Sequence, residues 1–207
     1  MPRLYPRTHA LLTAADQRRL RWVAQADASH RDLANRRALA LRLGQLLLGI
    51  LPRHAVVTRE VCWYEYKIHE FTRDAIDAKP TAPAGAELGW RARSDQARPR
   101  LVGQAEIVEF SCDVEPVLEA LAEGRRAPAG KGPLKVLFHE AAAPLRLSEP
   151  TAWLVELLRT GELTAAQLAD LARERYDTTG PHSSRTSAAQ CFDVLEGLCW
   201  EGVVTFN

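Results

Sequence analysis

The sequence predicts an α+β protein: an α-helical bundle over residues 1–80, a linker over 81–100, and a winged-helix domain with a small antiparallel sheet over 101–207. Three observations carry that prediction. Apolar residues recur at helical spacing in the front of the chain, with Leu39, Leu43, Leu46, Leu47 and Ile50 on one stripe and Val61, Tyr64, Ile68, Phe71 and Ala75 on another. From Thr81 to Arg100 the composition shifts to Pro, Ala, Gly and Arg without periodicity, as a linker does. From Pro133 onward, two short strand-like runs precede three amphipathic helical segments and a last β-prone run.

In order, residues 1–12 read as an arm with two prolines, poorly ordered unless something docks it. Thr13 to Asp16 can open a helix through about Ala26, and Asp27 to His30 interrupt the pattern. A long helix from near Asp32 ends at Leu51, because Pro52 pushes its predecessor out of the helical region. Thr58 caps the next helix, which Pro80 stops. Leu101 to Phe110 is β-prone, and Asp113 can cap a helix through Leu121 with Pro116 in its first turn.

The last third is the most fully punctuated. Leu134–His139 and Pro144–Leu147 read as strands, and Thr151–Leu158 as a helix closed by Gly161 at a left-handed C′ position. Thr164 and Gln167 form a capping box for a helix carrying Leu168, Leu171 and Tyr176. After a polar loop, Cys191, Val194, Leu195 and Leu198 mark a third helix ending at Gly202, and Val203–Phe206 closes the chain as strand. Strands followed by three short helices make a winged-helix unit.

Totals bound the function. Formal charge is +1 but uneven: +7 over residues 1–60, −2 over 61–132 and −4 over 133–207. The four cysteines are scattered, with no Cys-x-x-Cys pair, so zinc-finger and thioredoxin-like readings lack support and buried thiols in a reducing compartment are expected. No signal-like apolar run opens the chain, and Leu39 to Leu51 is too short to span a bilayer needing ~20 residues. A cytoplasmic protein with no membrane contact is the expectation.

Catalytic and metal signatures fail on spacing. His139-Glu140 would need a second histidine at 143 to be a zincin motif, and that position is Ala143. His139 therefore reads as the end of a strand. Glu65 and His69 share a helix face at i,i+4, but a di-iron bundle needs Glu-x-x-His from two helices and two further glutamates, so they read as an exposed face. No Gly-x-Ser-x-Gly and no P-loop spacing occurs. The chain is expected not to be an enzyme and to hold no cofactor or metal of its own.

The run LKVLFHEAAAPLRLSEPTAWLVELLRTGELTAAQLADLARERYDTT, continued by CFDVLEGLCWEGVVTF, resembles PqqD-type domains, which bind leader peptides in ribosomal peptide natural-product pathways. The shared features are a strand ending in Leu-Ser, an apolar helix closed by a Gly turn, a T-x-x-x-L-A second helix and a third helix ending in a Gly-apolar step. With the helical front and the segment Cys112-Asp113-Val114-Glu115-Pro116, the chain also resembles accessory subunits of multinuclear non-heme iron oxygenases. The resemblance implies a heterodimer in which iron belongs to the oxygenase and this chain binds a precursor peptide by strand addition. The implied peptide edge is Pro144, Leu145, Arg146 and Leu147. The implied opposing wall is the third helix near Ala189, Gln190, Asp193 and Val194, with Arg185 just before it. Leu145 or Leu147 must also serve the core, and Arg146 then points away from both, toward an acidic leader residue.

The alternative is a winged-helix DNA-binding regulator. A DNA-reading helix sits in a positive field, whereas this third helix offers Asp193, Glu196 and Glu201 in an acidic unit. Nucleic acid is therefore not the expected partner of that helix. The arginines of the N-terminal helices stay open as a solvated face, a docking surface for an acidic partner, or a nucleic-acid contact.

Overall fold

The computed structural model describes residues 4–26, 36–71, 96–176 and 184–206. The predicted linker is thus described only from residue 96. The described residues hold eight helices and two small antiparallel sheets, and no helix among them is long and apolar enough to cross a membrane. The chain divides into two compact units, residues 1–74 with 109–134, and residues 75–108 with 135–207.

In the first unit lie α1 (Pro6–Leu11), α2 (Ala14–Ala26), α3 (Arg36–Ile50), α4 (Val56–Phe71) and α5 (Glu115–Ala122). Leu20, Ala40, Leu47, Leu51, Cys62 and Tyr66 form its buried centre, together with Tyr5 from the N-terminal segment. Residues 1–12 read as an arm ordered only if something docks it, and α4 does so: Pro6–Leu11 is helical and anchored from α4. Glu65 Oε1 accepts the Arg7 N–H at 3.1 Å, and Oε2 accepts the Thr8 N–H at 2.9 Å and the Thr8 hydroxyl at 2.6 Å. These are N–H groups of the first helical turn that have no partner inside α1, and a carboxylate there also meets the positive end of the helix dipole.

That docking overturns the exposed-face reading of Glu65, which is buried. A His69 ring nitrogen lies 2.7 Å from the Leu4 carbonyl, and the ring packs against Tyr5 with centroids 5.1 Å apart. The Tyr5 hydroxyl donates to the Ala40 carbonyl at 2.8 Å. Gly44 makes room for it, since a Cβ there would lie 2.2 Å from that hydroxyl. Thr58 falls inside α4 rather than at its cap, because the turn after Pro52 already starts the helix at Val56. Asp113 does meet α5, its Oδ1 accepting the Glu115 N–H at 3.1 Å.

Into the second unit fall β1 (Pro99–Leu101), β2 (Ala105–Phe110) up to Val108, and β3 (Leu134–His139) from Lys135. They are joined there by β4 (Ala142–Leu147), α6 (Glu149–Leu158), α7 (Ala165–Tyr176), α8 (Ser184–Trp200) and β5 (Val204–Phe206). One sheet has the order β2-β3-β4; the other pairs β1 with β5, Arg100 opposite Thr205. Val155, Leu168, Leu195 and Val203 are fully buried where the helices meet.

The expected punctuation is present. Thr164 N–H donates to Gln167 Oε1 at 2.9 Å and Gln167 N–H to Thr164 Oγ1 at 3.2 Å, a reciprocal capping box. Gly161 and Gly202 close their helices at φ +64° and +73°, a region that favours glycine. Helix α6 starts two residues before the expected Thr151, with Ser148 Oγ accepting the Thr151 N–H. The pairing of β1 with β5 was not foreseen.

Candidate functional site

The candidate residues fall on one edge strand and one helix of the second unit. In β4, Leu137 faces Leu145, Val136 faces Arg146 and Lys135 faces Leu147 in antiparallel register. The pleat turns Leu145 and Leu147 to the core, where Leu147 is buried and Leu145 half-buried, and leaves Arg146 exposed. Pro144 is half-buried. Strand β4 is bordered by β3 on one side and, among the described residues, by no strand on the other. Its backbone groups on that side are therefore not used by a sheet ladder.

At Ser148 the chain turns from β4 into α6. Lys135 Nζ and Glu149 Oε2 meet at 2.5 Å beside this turn. A cavity of about 470 Å³ opens next to Ser148. Its walls are Pro150, Trp153 and Leu154 at the start of α6, Tyr176 at the end of α7, and Gln190, Cys191, Asp193 and Val194 from α8. The predicted Gln190, Asp193 and Val194 thus come together here. Ala189 is exposed but does not line the cavity, and neither do Pro144, Leu145, Arg146 or Leu147. Arg185 belongs to the first turn of α8, and its side chain lies outside the described residues.

Two aromatic residues, Trp153 and Tyr176, which the sequence puts in helices without a role at a site, shape this cavity. Trp153 and Tyr176 meet edge to face, with centroids 5.6 Å apart and planes at 82°. The Arg175 guanidinium lies 5.1 Å from the Trp153 ring centre, a cation–π contact. The Tyr176 hydroxyl is buried and has no hydrogen-bond partner among the described residues. A buried hydroxyl without a partner costs free energy, so a ligand carbonyl placed there would recover it. The available signal was an aromatic with a polar handle on each of two apolar helix stripes.

Several other chemistry-bearing groups are engaged within the protein or unreactive. His139 Nδ1 accepts the Ala141 N–H at 3.1 Å, so Nε2 carries the proton and donates to the Val102 carbonyl. Burial pushes the Cys191 thiol up to about 11, so it stays protonated at neutral pH and is a poor nucleophile. In the first unit, a hollow of about 300 Å³ beside Arg59 and Glu60 has its charges engaged. Arg59 donates to the Leu48 and Leu51 carbonyls, and Glu60 accepts from Ser111. Among the described residues, no three His, Cys, Asp or Glu side chains converge to hold a metal ion.

Comparison of the chain with family models, with curated proteins and with solved structures finds no match.

Proposed function

We propose that this chain is a cytoplasmic, non-catalytic accessory protein whose second unit is a winged helix of the PqqD type. It binds a ribosomally made precursor peptide by strand addition and presents it to a partner iron-dependent oxygenase. The observation that carries the reading is the juxtaposition of β4, which among the described residues has a strand on one side only, with the apolar cavity between α6, α7 and α8. A peptide on such an edge gains backbone hydrogen bonds whatever its sequence, and an adjoining pocket selects one of its side chains. Within the second unit three strands precede three helices, β2-β3-β4-α6-α7-α8, with α5 of the first unit inserted in the chain between β2 and β3, and this arrangement supports the same reading. A DNA duplex on α8 would instead meet the exposed carboxylate of Asp193.

The test uses the full chain and fluorescein-labelled synthetic peptides translated from whatever short open reading frames sequencing finds beside this gene. Anisotropy titration should give saturable binding that is insensitive to moderate salt. Pull-down from the source organism's lysate should then capture an iron-dependent oxygenase, and the complex should modify the core peptide. Absence of leader binding, or turnover of a small substrate by this chain alone, ends the reading.

A further inference from the structure

Helix α2 and the end of α3 carry a surface that the described residues of their own unit leave uncovered. Leu20 of α2 is buried, whereas Arg18, Arg19, Arg21 and Trp22 are exposed. Trp22, at 72 %, is the most exposed large apolar side chain among the described residues. Arg18, Arg19, Trp22 and Ile50 line an open hollow of about 520 Å³, and Arg53 is exposed one turn beyond Ile50.

No exposed acid tempers these cations within the two helices. Asp16 is the single carboxylate in the sequences of α2 and α3, against Arg18, Arg19, Arg21, Arg36, Arg37 and Arg42. It is buried, and its Oδ2 takes the Thr13 N–H at 3.1 Å and the Thr13 hydroxyl at 2.6 Å. Arg37 is turned to the Glu70 and His69 carbonyls at the end of α4. Arg18 and Arg19 keep their side chains exposed around the same hollow as the indole, and Arg21, also exposed, sets its Nε 3.4 Å from the Gln17 carbonyl.

A polyanion is the complementary ligand, and the shape of the surface selects among polyanions. A protein partner anchors through a side chain enclosed in a packed, desolvated pocket. This hollow is open, and its most prominent wall is one exposed indole. A planar base can lie on such a face without being enclosed, while guanidinium groups a turn away take the flanking phosphates. Bases in a duplex are stacked and cannot offer their faces, so the strand must be single. We infer that the α2–α3 surface binds single-stranded nucleic acid, with a base stacked on Trp22 and phosphates on Arg18, Arg19 and Arg21. This surface belongs to the first unit and does not depend on the peptide reading of the second.

Anisotropy titration of the full chain with a fluorescein-labelled oligo-thymidine of about 20 nucleotides tests it, at roughly 50 and 200 mM salt. Saturable binding is expected, with a logarithmic salt slope near −2 for three phosphate contacts at about −0.7 each. Trp22→Ala should weaken binding about tenfold, the scale of one lost stack, and Trp22→Phe should restore most of it. The double variant Arg18→Gln/Arg19→Gln should make the slope shallower by about 1.4. All three side chains are exposed, so thermal unfolding of the variants should match the parent. The inference is overturned by no binding at the lower salt, by affinity indifferent to Trp22→Ala, by equal affinity for a duplex of the same length, or by tighter binding of a polyglutamate peptide.

Discussion

Glu65 holds Thr8 by two bonds to one carboxylate oxygen, 2.9 Å from the backbone nitrogen and 2.6 Å from the hydroxyl, across 57 residues of sequence. One helix thereby supplies the cap that another lacks, since Tyr5, at the N-cap of α1, makes no side-chain cap bond.

Glu65→Ala should release α1. Thr8 would keep a buried N–H without a partner, a loss of about 1–3 kcal/mol. Hydrogen exchange of the amides of residues 7–11 should accelerate by roughly 30-fold, while amides in α7 keep their rates. Unchanged exchange in α1 would mean that the contact contributes nothing to its stability.

Gly44→Ala tests the close approach of Tyr5. The added methyl would meet the Tyr5 hydroxyl and, at 2.5 Å, Tyr66 Cδ2. Overpacking of this kind costs about 1–3 kcal/mol and outweighs the helix preference for alanine, about 1 kcal/mol. Urea denaturation should show a lower midpoint. Removing the hydroxyl as well, in Gly44→Ala/Tyr5→Phe, should cost less than the two single changes added together.

The thiols predict an alkaline limit. Burial, reinforced by the nearby Glu65 carboxylate, pushes Cys62 up to about 12, and burial pushes Cys191 up to about 11, both from an ordinary 9.0. The folded state therefore holds these protons after the unfolded chain has released them. Their contribution is complete below pH 9 and is lost as the pH rises toward 11–12. Denaturation midpoints should fall from pH 8 to pH 10, and Cys62→Ala/Cys191→Ala should flatten that fall.

Thr164→Ala should destabilise α7 by about 1 kcal/mol, the usual worth of an N-cap. Because Thr164 and Gln167 bond each other's backbone, Gln167→Ala should add little in the absence of the threonine. A double-mutant cycle on thermal unfolding measures that coupling.

Val194→Trp should fill the cavity beside Ser148 and lower leader-peptide affinity at least tenfold, since an anchoring side chain loses its place. Ala189, exposed and outside the cavity, serves as the control: Ala189→Ser should leave binding unchanged.

Local rules settled much of the secondary structure from sequence alone. Proline at 52, the Thr164–Gln167 box and the glycines at 161 and 202 act within a few residues, where backbone sterics and first-turn hydrogen bonds dominate. Strand alternation likewise set Arg146 on the face opposite Leu145 and Leu147, because it depends only on the pleat, while the burial of Leu147 was decided by packing. Tertiary structure alone decided that Glu65 is a buried cap, that β1 pairs with β5, and that Trp153 and Tyr176 enclose a cavity with Gln190 and Val194. Each of those depends on which distant partner satisfies a polar group or covers an apolar face, and periodicity along the chain carries no record of that choice.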